Sequence, residues 1–212
     1  AIRRQRQMCI RDSYRTDKYE QPDTDFPTDV RTMVLQGDTL WIGSLNGLYT
    51  YQLKSRQLNH FDSKQTGLPH NTIYSIIHTK DNQIYIGTYN GLCRYVQASG
   101  KFENILLPVN RRGSNLFVNS LLEDTTRQCI WIGMEGYLFQ YNPTIGEMKA
   151  IEVFHNNSIK SLALDGDENL LAGTDNGLYV YQNDKEPLQH IIHDSRNIPV
   201  SYTHLRAHET PE

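Results

Sequence analysis

The chain has 212 residues, with 21 lysines and arginines against 24 acidic residues, a net charge of −3 and 13 tyrosines. That balance gives no basic footprint for DNA or RNA, and no run approaches the roughly 18 apolar residues that a membrane helix needs. Three cysteines leave the redox compartment undecided.

At the start of the chain, Met8-Cys9-Ile10-Arg11-Asp12-Ser13 can be encoded by a DNA stretch whose complementary strand reads Val200-Ser201-Tyr202-Thr203-His204. Two ends of a natural protein have no reason to be antisense translations of one another. Residues 1–13 and 200–212 are therefore read as adaptor-derived, not native, and residues 14–199 as a segment cut from a longer reading frame. The basic stretch Arg3-Arg4-Gln5-Arg6 and the i,i+4 pair His204 and His208 are set aside with them.

From Leu40 onward one phrase comes round four times. It reads Leu40-Trp41-Ile42-Gly43-Ser44-Leu45-Asn46-Gly47-Leu48-Tyr49, then Ile84-Tyr85-Ile86-Gly87-Thr88-Tyr89-Asn90-Gly91-Leu92-Cys93. A degenerate copy runs from Ile130-Trp131-Ile132-Gly133 to Gly136-Tyr137-Leu138, and a fourth from Leu170-Leu171-Ala172-Gly173 to Asn176-Gly177-Leu178. A period of about 40–46 residues built of short strands and tight turns is the mark of a β-propeller with one blade per repeat.

Each repeat parses into four antiparallel strands. The inner strands are expected at Val30–Leu35, Ile73–His78, Phe117–Leu122 and Ile159–Leu164, because these are near-continuous apolar and β-branched runs suited to burial between blades. The Asn90-Gly91 pair predicts a hairpin turn with both residues at positive φ. In the third copy Gly136 comes one place early, so its hairpin should need a one-residue bulge. Blades are placed at about 28–61, 71–107, 115–153 and 158–192. The fold class is all-β, a β-propeller of about four four-stranded blades belonging to a larger ring. Cys93 and Cys129 fall at non-equivalent positions of different blades, which favours two small buried thiols over a disulfide.

Gly67-Leu68-Pro69-His70-Asn71-Thr72-Ile73-Tyr74-Ser75-Ile76, followed by Ile84–Tyr95, closely resembles the two-component regulator propeller repeat. Trp41-Ile42-Gly43 and Trp131-Ile132-Gly133 match its second half in two further copies. The turn before the second strand lacks the glycine usual in the family, and Leu171 stands in place of the tryptophan in copy four. The resemblance implies the periplasmic sensor region of a membrane-bound hybrid two-component regulator. Such a region recognises oligosaccharides and signals to a histidine kinase that is absent from this chain. It further implies a neighbouring propeller, an immunoglobulin-like domain and a homodimeric parent as partners, with no nucleic-acid contact by this segment.

No catalytic constellation, metal site or cofactor is expected. Asp165-Gly166-Asp167-Glu168-Asn169 has the acidic spacing of a calcium loop, but Leu170 stands where the glycine is required, so a strand-to-strand turn is the better reading. His190 and His193 do not suit a metal site either. The repeated Trp41, Tyr85 and Trp131, with Gly43, Gly47, Gly87, Gly91, Gly133, Gly173 and Gly177, are assigned to blade structure. Function should instead vary from blade to blade on one rim. Candidates for ligand contact there are Tyr89, Asn90, Arg111, Arg112, Glu135, Tyr137, His155 and Asp175, with His70, Asn71, Asn156, Asn157 and Asn176 on the same loops. The alternatives are an extracellular propeller enzyme (a glycosidase or lyase), which would need clustered carboxylates, or an interaction scaffold, which would favour a Trp-Asp signature that does not occur.

Overall fold

The computed structural model describes residues 27–109, 116–151, 157–182 and 189–191. The two ends read as adaptor lie outside those residues, as do Arg111, Arg112, His155 and Asn156.

Among the described residues sixteen strands form four four-stranded antiparallel sheets, each joined in simple sequential order. Blade 1 holds β1 (Thr32–Gln36), β2 (Thr39–Gly43), β3 (Leu48–Gln52) and β4 (Leu58–Phe61). Blade 2 holds β5 (Ile73–His78), β6 (Ile84–Thr88), β7 (Gly91–Val96) and β8 (Lys101–Ile105). Blade 3 holds β9 (Val118–Asp124), β10 (Cys129–Met134), β11 (Leu138–Asn142) and β12 (Glu147–Ile151). Blade 4 holds β13 (Ile159–Leu164), β14 (Leu170–Thr174), β15 (Gly177–Tyr181) and β16 (Gln189–Ile191). The propeller reading holds.

Before the first inner strand of blade 2, one helical turn, α1 (Ser63–Thr66), interrupts the β pattern. Its signals are local: the Asp62 carboxylate accepts from the Lys64 N–H, and Gly67 closes the turn at φ 82°. The turn delivers Leu68, 3% exposed, into the apolar layer between blades 1 and 2.

Three apolar layers hold consecutive blades together. Trp41 packs with Ile73, Ile76 and Ile84 between blades 1 and 2; Tyr85 with Val118, Ile130 and Phe139 between blades 2 and 3; and Trp131 with Ile159, Leu170 and Tyr179 between blades 3 and 4. The glycine of each phrase is a close-approach residue. A Cβ on Gly43 would stand 2.6 Å from Ile73 Cγ2, one on Gly87 2.6 Å from Val118 Cγ1, and one on Gly133 2.6 Å from Ile159 Cγ2. Each clash is with the β-branched residue that opens the next blade's inner strand. Backbone hydrogen bonds tie the same seam: Ile73 N–H donates to Ser44 O, Gly91 N–H to Leu116 O and Gly136 N–H to Asn157 O.

The turn chemistry differs from the sequence expectation in two places. Gly91 has φ 114°, but Asn90 is not in the left-handed region, because a hydroxyl closes this hairpin instead. Thr88 Oγ1 accepts from the Asn90 N–H and donates to Gly91 O, and Thr174 repeats both bonds with Asn176 and Gly177. Blade 3 has Met134 at that place and no hydroxyl. Its left-handed glycine therefore moves forward to Gly136 (φ 77°), while the Gly133–Leu138 pairing keeps its length and needs no bulge. A bulge does occur on the other side of β10, at Asn119, and it is shared with blades 2 and 4.

Cys93 and Cys129 are free and buried. Burial pushes the Cys93 thiol well above the ordinary thiol range and that of Cys129 up to about 11. Neither should react with iodoacetamide at about pH 8 in the folded chain, and both should after unfolding, as read by peptide mass spectrometry. Modification of Cys93 in the native chain would contradict its burial.

Candidate functional site

The bulge is the origin of the site. In each inner strand a small hydroxyl residue pairs with the phrase glycine: Thr32 with Gly43, Ser75 with Gly87, Ser120 with Gly133 and Ser161 with Gly173. Two places before it stands a β-branched residue in every blade, giving Val30-Arg31-Thr32, Ile73-Tyr74-Ser75, Val118-Asn119-Ser120 and Ile159-Lys160-Ser161. The flanking positions barely change. The central one is arginine, tyrosine, asparagine and lysine in turn.

In blades 2, 3 and 4 that central residue is the one skipped by the ladder, which is what a bulge does to re-aim a side chain. In blade 1 the Arg31 N–H donates to Gly43 O just before regular pairing starts. All four side chains line one cleft of about 540 Å³, together with Phe117, Glu135 and Ser158. The cleft lies where the four inner strands begin, on the rim shared with the turns between second and third strands.

The aromatic groups form a connected wall. The Arg31 guanidinium carbon stands 5.0 Å from the Tyr74 ring centre, and Tyr74 meets Phe117 edge to face at 6.0 Å. Tyr89 backs Phe117 at 4.2 Å, and His70 lies 4.8 Å from Tyr89. His70 is fixed in turn, since its Nδ1 accepts from the Thr72 N–H. On the far lip Lys160 Nζ donates to Ser158 Oγ at 2.8 Å, and Asn119 Nδ2 donates to Ile159 O at 3.1 Å. Hydrogen-bonding side chains beside aromatic rings can hold a polar ligand that carries apolar faces.

Of the residues expected at the rim, Glu135 lines the cleft and Tyr89 supports its wall. Asn90 is an exposed turn residue. Tyr137 does not line the cleft; it stacks on Phe139 at 5.7 Å against the layer between blades 2 and 3. Asp175 accepts from the Ser158 N–H, so it props a cleft residue. Asn71 and Asn157 serve the scaffold, bonding the Ser63 N–H and the Tyr179 hydroxyl. Arg31, Tyr74, Phe117, Asn119 and Lys160 were missing from the sequence-based candidates. Superposing the four copies on the apolar–x–Ser/Thr triplet would have exposed four of them.

Three other hollows are features of packing. Openings of about 440, 350 and 230 Å³ lie between blades 1 and 2, between blades 2 and 3, and on the face that blade 3 turns to blade 4. A hollow that recurs at each seam belongs to the wedge shape of the blades. Trp41 beside the largest of them is 3% exposed and offers no open ring face. Among the described residues no group of three His, Cys, Asp or Glu side chains could hold a metal ion.

Residues 67–90 match the family described as Two component regulator propeller. The chain is 77% identical to the crystallised extracellular domain of the hybrid two-component (or one-component) system BT4673 from B. thetaiotaomicron, with a TM-score of 0.80. That match covers 87% of this chain and 25% of the other. The chain is 30% identical over 122 residues to Histidine kinase P4 of Formosa agariphila, covering 52% of this chain and 8% of that protein. It thus spans a quarter or less of the length of either relative. Virginiamycin B lyase from Staphylococcus aureus shares the fold at 12% identity and a TM-score of 0.60, over 82% of this chain and 57% of the lyase. Four glycine-punctuated blades, one of which carries the stretch that matches the two component regulator propeller description, make the chain similar to the extracellular domains of hybrid two-component systems.

Proposed function

We propose that this chain is a ligand-sensing propeller segment in the periplasmic ectodomain of a membrane-bound hybrid two-component regulator. In this reading its rim cleft contacts an oligosaccharide, and occupancy is relayed to a C-terminal histidine kinase outside the chain. The observation that carries the reading is the bulged inner-strand position: Arg31, Tyr74, Asn119 and Lys160 differ from blade to blade on an otherwise repeated frame, and all four line one cleft. The frame around them repeats, so what distinguishes the blades at this rim is the chemistry of the four side chains that share the cleft.

A sugar ring has apolar C–H faces and hydroxyl edges, which suit the Tyr74–Phe117 wall and the surrounding amide, ammonium and carboxylate groups. On the face of blade 1 turned away from blade 2, Met33 and Leu35 are 61% and 51% exposed. Further blades of the same repeat would cover that face, in keeping with a larger ring. A second propeller, an immunoglobulin-like domain and a paired sensor subunit complete the proposed receptor. Ligand can act only by binding one arrangement of the pair better than the other.

The test is an oligosaccharide binding screen on the full receptor that carries this chain, followed by calorimetry on Tyr74→Ala. Loss of about tenfold or more in affinity is expected for a ring that stacks on the ligand. Unchanged affinity in Tyr74→Ala and in Phe117→Ala, for every sugar that binds, would remove the cleft from the function.

A further inference from the structure

Taking the cleft as the ligand site, as proposed above, its charge says more about the ligand. The chain as a whole is acidic, with a net charge of −3. Yet two of the four bulged or equivalent positions facing the cleft are cations, Arg31 and Lys160. They come from blades 1 and 4, the two outermost of the described blades.

Among the described residues neither cation has a carboxylate within ion-pair distance. Both are nevertheless held in place. Arg31 lies over the Tyr74 ring, which covers one face of the guanidinium and leaves its N–H edge for a planar anion. Lys160 is anchored by its bond to Ser158 Oγ, and an ammonium has donors to spare beyond that one. Among the described residues the cleft contains one carboxylate, Glu135, which can accept from sugar hydroxyls.

We propose that the cleft selects an anionic oligosaccharide, its carboxylate or sulfate groups held by Arg31 and Lys160 while a ring lies against Tyr74 and Phe117. A neutral sugar would leave both cations without a counter-charge on binding. Such a sugar should bind more weakly by about tenfold or more, the size of one or two charge-assisted hydrogen bonds.

The experiment is calorimetry on the full receptor with three probes: a uronic-acid tetrasaccharide, the same tetrasaccharide with its carboxyl groups reduced to alcohols, and a sulfated neutral tetrasaccharide. The expected result is that an acidic probe binds about tenfold or more tighter than the reduced one and weakens as salt is raised. The better of the two acidic probes identifies the source of the charge. Arg31→Gln with Lys160→Gln should abolish the preference without moving the melting temperature, since both side chains are exposed. If the reduced probe binds as well as both acidic ones and Tyr74→Ala still weakens it, the charge inference falls and the sugar-cleft reading stands. If no sugar binds in a Tyr74-dependent way, both fall.

Discussion

Gly87→Ala is expected to destabilise the chain by about 3 kcal/mol or more, at the upper end of the range for overpacking a core. An added Cβ at this position would lie 2.3 Å from Ser75 Oγ, 2.6 Å from Val118 Cγ1 and 2.7 Å from Val118 O. The third contact decides the size of the effect. A side chain can rotate away, but the carbonyl belongs to the inner strand of the next blade, so blade 3 itself would have to move. The position also lies beside Tyr74, the residue skipped between Ile73 and Ser75, so any shift would disturb the aim of a cleft side chain. Gly166→Ala is the control, with nothing within 4 Å of its added Cβ and no left-handed φ. It should stay within about 0.5 kcal/mol of the parent. Thermal melting should separate the two by about 6–12 °C for a chain of this size. Equal melting temperatures would mean that the repeated glycine has some purpose other than close approach between blades.

That glycine explains why the fold was easier to read than the site. Blade seams leave a strong sequence trace, because the small residue in one blade and the β-branched residue opening the next must coexist, as Gly87 does with Val118 and Gly133 with Ile159. Inner strands were therefore legible: Ile73–His78 and Ile159–Leu164 fall where expected, while those of blades 1 and 3 run Thr32–Gln36 and Val118–Asp124, shifted by one or two residues. Arg31, Tyr74, Asn119 and Lys160 lie inside those same runs, where within any one copy each reads as a single interruption of a buried strand. A bulge has no signature within a single copy, so Tyr74 in Ile73–His78 passes for another core aromatic. Loop residues stand out more readily in a repeat, and of these Tyr137 stacks on Phe139 and Asp175 accepts from the Ser158 N–H. The informative contrast was between copies at one register position rather than between loop and strand.

The same kind of seam is sealed electrostatically between blades 3 and 4, and breaking it there should have a comparably large effect. The Asp124 side chain is fully buried, 2.6 Å from Arg127 Nη1. It also accepts from the Arg127 backbone N–H at 2.9 Å and from the Trp131 indole N–H at 3.0 Å. Arg127 continues into blade 4, donating to Glu168 O and Gln182 O. Asp124→Ala would leave the indole N–H without its acceptor and the guanidinium without its counter-charge, a loss expected at about 3 kcal/mol, the low end for a broken buried pair because Arg127 keeps partial access to water. Burial by itself raises the carboxyl pKa, but the Arg127 backbone bond, the indole bond and the guanidinium outweigh it and hold the group below its ordinary 3.8. A depressed carboxylate stabilises the fold fully above its unfolded pKa and loses that contribution as pH falls through the lower folded value. The stability gap between the parent chain and Asp124→Asn should therefore be flat from about pH 5 to 8 and narrow below about pH 4, as measured by urea unfolding at each pH. A gap that widened on acidification would show that Asp124 is bound in the fold as the neutral acid, and would dissolve the charged clamp between the two blades.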